Sequence, residues 1–178
     1  MDVDYFRRRI KQREVKGGIV RLDVHDDGFG NPTVGYGHKV TTADNLEIGD
    51  KITEKQADLF FENDIAYALN IIEDAPWIAT LPENKRFVMH DMAYNMGYAK
   101  LKGTVEKGFP NFFAMMHMYS QATTDDVKQY YSERAASELK YRNPTKGNMQ
   151  LTDYYQQVKT RAYENYDYIL NGTDLMEY

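Results

Sequence analysis

The 178-residue chain contains no cysteine, which excludes disulfides and metal sites built from thiolates. It has no apolar run long enough to cross a bilayer, since a spanning helix takes about 20 apolar residues. Its first residues, MDVDYFRRRIKQ, contain no apolar core segment, so we expect no Sec signal peptide. The net charge is −5, which argues against a nucleic-acid partner held by phosphate neutralisation. We therefore expect neither nucleic-acid binding nor membrane insertion.

Metal and cofactor motifs are also missing. The histidines share neither the i,i+4 spacing nor the HExxH pattern of a helical metal site; they are His25, His38, His90 and His117. A calcium loop beginning at Asp23 is rejected, because its third position is His25 and its twelfth is Val34 instead of glutamate. Gly28 and Gly30 precede no helix, so they form no dinucleotide fingerprint. We expect no metal and no cofactor.

Helical periodicity is present over most of the chain. Thr53 and Gln56 form a capping box ahead of a helix over residues 53–73. At ~1.5 Å per residue that helix is roughly 30 Å long, enough to link two lobes. Other helices are predicted over residues 2–15, 84–96, 109–119, 125–139 and 152–170. The sequence thus predicts an α+β protein with a small α+β lobe over residues 1–60, the interlobe helix 53–73 and a helical lobe over residues 74–178.

The stretch between the first two helices has a different period. Apolar and polar residues alternate on both sides of the sequence DDGFGNP, which predicts a β-hairpin with that sequence at its tip. The hairpin would carry Asp27 and Thr33 close to the first helix, which Gly17-Gly18 should end and which carries Glu14. Two carboxylates facing each other are what hydrolysis of a glycosidic bond requires. Taken alone, the tip residues are better explained by turn chemistry than by catalysis, and Glu14 by a solvated helix face.

Three segments resemble one known family. The pattern RLxxxxDxxGxxTxGYGH from Arg21 to His38 is similar to the signature of the T-even phage-type lysozymes, the endolysin muramidases. The pattern ITxxxAxxFxxxD from Ile52 to Asp64 resembles the start of that family's interlobe helix. Asn95-Met96-Gly97 followed by Gly108-Phe109 resembles its central helix and the next turn. The resemblance covers most of the chain, although the C-terminal third matches only as helices.

This resemblance implies a bilobal α+β fold and cleavage of the β-1,4 bond between N-acetylmuramic acid and N-acetylglucosamine in bacterial peptidoglycan. It implies that Asp27 and Thr33 position the attacking water. It also implies a structural pair between His38 and Asp64 that ties the hairpin to the long helix.

The position of the acid departs from the family pattern. In the family, the acid glutamate stands nine residues before the aspartate, where this chain has Gly18. Glu14 is thirteen residues before Asp27. Either an insertion around residues 15–18 leaves Glu14 as the acid, or the acid has been lost. Two glycines can absorb extra chain in a tight turn, and the interpretation adopted is that Glu14 is the acid.

The sequence therefore predicts a muramidase whose catalytic residues are Glu14, Asp27 and Thr33. We expect Tyr36, Phe109 and Tyr141 to touch the glycan. The alternatives are a catalytically inactive peptidoglycan-binding or virion structural protein, and a lytic transglycosylase. We expect a monomer that stays in the host cytoplasm until it is released to the cell wall, or that travels with the virion.

Overall fold

The computed structural model describes residues 1–15, 19–105, 108–142, 144–147 and 149–172. It shows an α+β lysozyme-like fold that combines α-helices with a small antiparallel sheet of three strands. The chain divides into two compact units: an N-terminal unit of residues 2–69, and a helical unit that contains Met1 and the chain from residue 70 onward. Within the described ranges, no helix combines the length and apolar character needed to span a membrane.

The first helix of the N-terminal unit confirms the prediction for residues 2–15. Helix α1 covers Val3–Glu14, and the side chain of Asp2 caps it by accepting from two backbone amides of the first turn. Phe6 and Ile10 are fully buried one turn apart, so they anchor the helix in the core. The helix ends at Glu14. The predicted stop at residues 17 and 18 lies outside the described residues.

The predicted hairpin is confirmed. Strand β1 covers Arg21–Asp26 and strand β2 covers Pro32–Gly35, and the two pair antiparallel with His25 opposite Thr33. A short third strand, β3, covers His38–Lys39 and pairs with β2. The sequence analysis did not anticipate β3, because two residues carry no measurable alternation.

The capping box that begins the next helix is present. The backbone amide of Gln56 donates to Thr53 Oγ1 at 3.2 Å, and that of Thr53 donates to Gln56 Oε1 at 2.9 Å. Helix α2 covers Glu54–Leu69, and helix α3, Ile71–Asp74, follows after Asn70. The prediction of one continuous helix over residues 53–73 is therefore wrong at Asn70. The sequence did not predict this break, because neither proline nor glycine stands at it and the apolar periodicity continues across it.

The helical unit is built from six further α-helices among the described residues. Helices α4 and α6 confirm the predicted segments 84–96 and 109–119, and α7 confirms 125–139. Their bounds are α4 Glu83–Met96, α5 Tyr98–Lys102, α6 Pro110–Gln121, α7 Asp125–Lys140, α8 Asp153–Gln157 and α9 Thr160–Leu170. The core consists of fully buried apolar side chains from several of these helices, including Phe87, Met92, Phe112, Met116 and Leu139.

The predicted helix over residues 152–170 is interrupted. Helix α8 ends at Gln157 and helix α9 begins at Thr160. Lys159 between them has a φ of 41°, a left-handed conformation that is uncommon for a residue other than glycine. The single-helix prediction was wrong because this stretch contains neither glycine nor proline to signal the break.

The core of the helical unit also contains a polar cluster. The guanidinium of Arg161 on α9 donates to both carboxylate oxygens of Asp91 on α4, at 3.0 and 3.1 Å. Asn165 donates to the same carboxylate at 2.6 Å and contacts the hydroxyl of Tyr154 at 2.7 Å. Asp91 and Asn165 are completely buried, so this cluster joins α4, α8 and α9 inside the core.

A buried lysine supports the end of α9. The Nζ of Lys85, which is 4% exposed, donates to the backbone carbonyl of Ile169 and approaches that of Tyr168 at 3.4 Å. These are among the carbonyls that a helix leaves without partners at its C-terminus. Burial lowers the pKa of Lys85 to about 8, since removal from water disfavours the charged amine.

Candidate active site

Glu14 is the last residue of α1, and its carboxylate lies against the turn between β2 and β3. A Cβ placed on Gly37 would stand 2.8 Å from Glu14 Oε2 and 3.4 Å from Glu14 Cδ. The absence of a side chain at Gly37, whose φ is +88°, therefore makes room for this carboxylate. Glu14 is half-buried. The structure thus places the predicted acid on the hairpin side of the helix.

Asp27 begins the turn between β1 and β2, and its carboxylate organises that turn. Oδ1 accepts from the backbone amides of Phe29 at 2.8 Å and Asn31 at 3.2 Å, and Oδ2 accepts from Asn31 Nδ2 at 2.9 Å. Partial desolvation raises the pKa of Asp27, but the bonds from Asn31 and Phe29 outweigh it and hold the pKa below its usual value. Asp27 is therefore ionised at neutral pH.

Thr33 lies on β2, opposite His25 on β1 and Lys39 on β3. It is only 8% exposed, and its hydroxyl donates to the carbonyl of Asn31 at 3.2 Å. Asn31 therefore contacts both residues that were predicted to position water. The hydroxyl oxygen of Thr33 keeps acceptor capacity for a further partner.

The two predicted catalytic carboxylates lie toward opposite ends of β2. Glu14 contacts Gly37 at the turn that follows β2, and Asp27 bonds to Asn31 just before β2 begins. Asn31 and Gly37 lie on either side of β2, so the two carboxylates meet different turns of the sheet.

His38 joins three elements of the N-terminal unit. Its Nδ1 lies 2.9 Å from Asp64 Oδ2 on α2, and its Nε2 lies 3.4 Å from Asp44 Oδ2. The ring also stacks on Phe60, with centroids 4.2 Å apart. Burial lowers the pKa of His38, but the two carboxylates, Asp64 first, outweigh it and raise the pKa above its ordinary value. The structure thus brings together the pair that the family resemblance implied.

Tyr36 is placed differently from the other predicted site residues. It is 8% exposed, and its ring packs at 5.1 Å from that of Phe61. The ammonium of Lys11 lies 4.4 Å from the same ring and bonds to Asp58 at 2.9 Å. Tyr36 therefore has little surface for a glycan, and its contacts are those of a core residue.

Phe109 and Tyr141 belong to the helical unit, where both line a cavity of about 430 Å³. Phe109 is 9% exposed and meets the ring of Tyr154 edge-on at 6.0 Å. The lining of the cavity also contains the buried carboxylate of Glu138, which accepts from Asn111 Nδ2 at 3.1 Å. The cavity thus combines aromatic surface with hydrogen-bonding groups, as ligand sites do.

Two residues of this arrangement escaped the sequence analysis. Gly37 was noted only as part of a motif, and Asn31 only as a turn residue. A glycine just after a strand suggests a positive φ, as Gly37 has. Its contact with Glu14 could not be predicted, because it depends on how α1 packs against the turn between β2 and β3. In the described ranges, no group of three or more His, Asp or Glu side chains is arranged to hold a metal ion.

The family model described as Phage lysozyme matches residues 16–109, which is more than half of the chain. The protein therefore belongs to the phage lysozyme family, whose members are peptidoglycan hydrolases. The matched range includes Asp27, Thr33, His38 and Asp64, and it begins two residues after Glu14. No curated protein matches the chain.

Proposed function

We propose that the protein is a muramidase that cleaves the β-1,4 bond between N-acetylmuramic acid and N-acetylglucosamine. Glu14 donates a proton to the leaving glycosidic oxygen. Asp27, together with Thr33, positions and activates a water on the opposite face of the sugar. The observation that carries the proposal is the placement of the Glu14 carboxylate against Gly37 of the hairpin turn.

The position of Glu14 suits a proton donor. The side chain is half-buried at the end of α1, and its carboxylate lies against the turn that holds Gly37. This placement brings the carboxyl group to the sheet that also carries Thr33, and a general acid must lie within hydrogen-bond reach of the oxygen that it protonates.

The environment of Asp27 suits the opposite role. Three hydrogen bonds from Phe29 and Asn31 stabilise its ionised form. A carboxylate that remains ionised can accept a proton from water or stabilise positive charge on the sugar. Asp27 is therefore the candidate for the ionised carboxylate of the pair, which leaves the role of the acid to Glu14.

The stereochemical course tests the role proposed for Asp27. Retaining glycosidases hold their carboxyl groups about 5–5.5 Å apart and form a covalent intermediate, whereas inverting enzymes leave about 6.5–9.5 Å for a water that attacks directly. Direct attack by water inverts the anomeric centre, which proton NMR of the first product formed from a soluble glycan will show as the α anomer. A β anomer would indicate a covalent intermediate instead.

The cavity of the helical unit is proposed to take part of the wall polymer. Its aromatic residues Phe109 and Tyr141 offer apolar surface, while Glu138 and Asn111 offer hydrogen bonds. Its volume of about 430 Å³ lies in the range of small-ligand sites, about 300–1,000 Å³. Tyr36 is assigned no glycan contact, because its ring packs against Phe61 and the ammonium of Lys11.

Two assays distinguish this function from its rivals. Clearing of permeabilised Gram-negative cells by the purified protein supports a hydrolase, and absence of clearing supports an inactive wall-binding protein. Mass spectrometry of the released muropeptides then identifies the reaction. Hydrated reducing ends support the muramidase, and 1,6-anhydro ends identify a lytic transglycosylase instead.

One observation also fits a catalytically inactive peptidoglycan-binding protein. Glu14 stands thirteen residues before Asp27 and outside the range that the family model matches. A lysozyme fold without a working acid would retain the hairpin, the His38–Asp64 pair and the cavity. In that case the protein would sediment with purified peptidoglycan sacculi without releasing soluble fragments.

A further inference from the structure

We propose that Phe29, at the tip of the β1–β2 turn, is a substrate-contacting residue whose ring packs on the face of a sugar in the wall glycan. The inference rests on the proposed function, because it places the sugar next to Asp27. It adds a contact that the family pattern does not specify, since this position falls between its defined residues.

Phe29 differs from the other phenylalanines of the N-terminal unit. It is 64% exposed, whereas Phe6 and Phe61 are 0% and 3% exposed and Phe60 is part-buried. A phenyl ring left in water forgoes the free energy that burial would supply. Single exposed apolar side chains are common on proteins, so exposure alone assigns no role. The case depends on how the ring is held and on what lies beside it.

The turn that carries Phe29 is fixed by two carboxylates. Asp26 Oδ1 accepts from the backbone amides of Gly28 at 2.6 Å and Gly30 at 3.1 Å. Asp27 Oδ1 accepts from the amide of Phe29 itself at 2.8 Å. Because the backbone is already ordered, a ligand that meets the ring does not have to order the turn as well. Such preorganisation increases the affinity gained from each contact.

The residues on either side leave the ring accessible. Gly28 and Gly30 have φ values of +88° and +85°, and a Cβ on either would meet no heavy atom within 4 Å. The tip therefore offers an aromatic ring without neighbouring side chains to cover it. Polar residues serve such a turn equally well, so an aromatic side chain at its centre is not required by the backbone.

The position of the ring determines which sugar it would meet. The amide of Phe29 is bonded to the carboxylate proposed to direct water at the reacting carbon. A sugar next to the cleaved bond would thus come within reach of the phenyl face. The C–H groups on one face of a pyranose ring are apolar, and the face of an aromatic ring can pack against them.

The test compares Phe29→Tyr, Phe29→Leu and Phe29→Ser with Ile48→Ser as the matched control. Ile48 is 61% exposed and lies in a turn that is also held by a carboxylate, since Asp50 Oδ2 accepts from the amide of Glu47 at 2.8 Å. That turn pairs with β1 through Val24, on the edge that does not face β2. Thermal unfolding will verify that each variant is folded.

Rates on purified, dye-labelled peptidoglycan are measured as a function of substrate concentration. For Phe29→Ser we expect the half-saturating concentration to rise roughly three- to tenfold, the equivalent of about 0.7–1.4 kcal/mol, with kcat changed less than about twofold. Phe29→Tyr keeps the wild-type value, because its ring has the same face, and Phe29→Leu falls between. An equal effect of Ile48→Ser, or equal effects of Phe29→Tyr and Phe29→Ser, overturns the proposal.

Cosedimentation with purified sacculi separates this inference from the catalytic one. The Phe29 substitutions are placed in a Glu14→Gln background, and binding is measured without turnover. Weaker binding by Phe29→Ser than by Ile48→Ser supports the sugar contact whether or not Glu14 is the acid. Equal binding overturns the contact even if Glu14→Gln has abolished hydrolysis.

Discussion

Charged side chains occupy different environments in the two units of the chain. In the N-terminal unit, Glu14 and Asp27 lie partly buried beside the turns of the sheet. In the helical unit, Asp91 and Lys85 lie in the core, at 0% and 4% exposure. A partly solvated carboxylate can exchange protons with substrate and water, whereas a buried one serves to hold its partners. We therefore propose that Glu14 and Asp27 serve the chemistry and that Asp91 and Lys85 stabilise the fold.

The largest effect on stability is expected from the buried pair of the helical unit. Asp91→Asn removes the charge that compensates Arg161, which is itself 8% exposed. Removal of one partner of a buried ion pair costs about 3–5 kcal/mol, and we expect a decrease of that size in the free energy of unfolding by urea.

The matched control for this substitution is Asp153→Asn. Asp153 pairs with Arg142 in the same unit, but both side chains are more than 40% exposed. Exposed pairs contribute about 0–1 kcal/mol. Equal losses for Asp91→Asn and Asp153→Asn would remove the distinction between buried and exposed charge on which the comparison depends.

The second prediction concerns the glycine beside the acid. Gly37→Ala adds a methyl group 2.8 Å from Glu14 Oε2, and the flexible carboxylate must move. We expect kcat on peptidoglycan to fall at least about tenfold, because misplacing a catalytic group by about 1 Å can cost more than that. Stability falls as well, since alanine is strained at a φ of +88°.

Gly49→Ala is the control that isolates the contact from the strain. Gly49 has a φ of +100°, and a Cβ there meets nothing within 4 Å. We expect it to destabilise the N-terminal unit comparably and to leave kcat unchanged. A similar loss of kcat in both variants would show that Gly37 acts through backbone strain and not through Glu14.

The third prediction, smaller still, is the pH dependence of the His38–Asp64 pair. The pKa of His38 is raised in the folded protein, so the charged pair stabilises the fold fully below about pH 6.5, the value of a free histidine. That contribution is lost as the pH rises through the raised value. A double-mutant cycle with His38→Asn and Asp64→Asn should give a coupling of about 1 kcal/mol at pH 6, decreasing toward pH 9. A coupling that grows with pH contradicts the assignment.

The sequence predicted those structural features that depend on residues close together in the chain. The capping box at Thr53 and Gln56 and the hairpin were predicted because their residues are neighbours in the chain. The break at Lys159 was not, because its φ of 41° has no signal in residue type. Asp91 and Arg161 are separated by 70 positions, and only the folded helices reveal that they meet.

The candidate site shows the same limit. Asp27, Thr33 and the pair of His38 with Asp64 follow from the family pattern, whose spacing this chain keeps. The identity of the acid does not follow from that pattern, because the spacing before Asp27 differs from that of the family. Only the contact with Gly37 indicates where the Glu14 carboxylate lies. The burial of Tyr36, which is 8% exposed, was likewise seen only in the structure. An alternating strand pattern does not show which face of the strand is covered at its end.

The most direct test of the account is the hydrolysis rate of Glu14→Gln, with Glu62→Gln as control. Glu62 is a glutamate of the same unit that pairs with Arg7 at 3.0 Å and has no proposed role in catalysis. With reducing ends counted on purified peptidoglycan, we predict that Glu14→Gln lowers kcat by about 10²–10⁴-fold, the range for loss of a general acid. Glu62→Gln should remain within about twofold of wild type. A Glu14→Gln protein that stays folded and hydrolyses peptidoglycan as fast as Glu62→Gln would contradict the assignment of Glu14 as the proton donor.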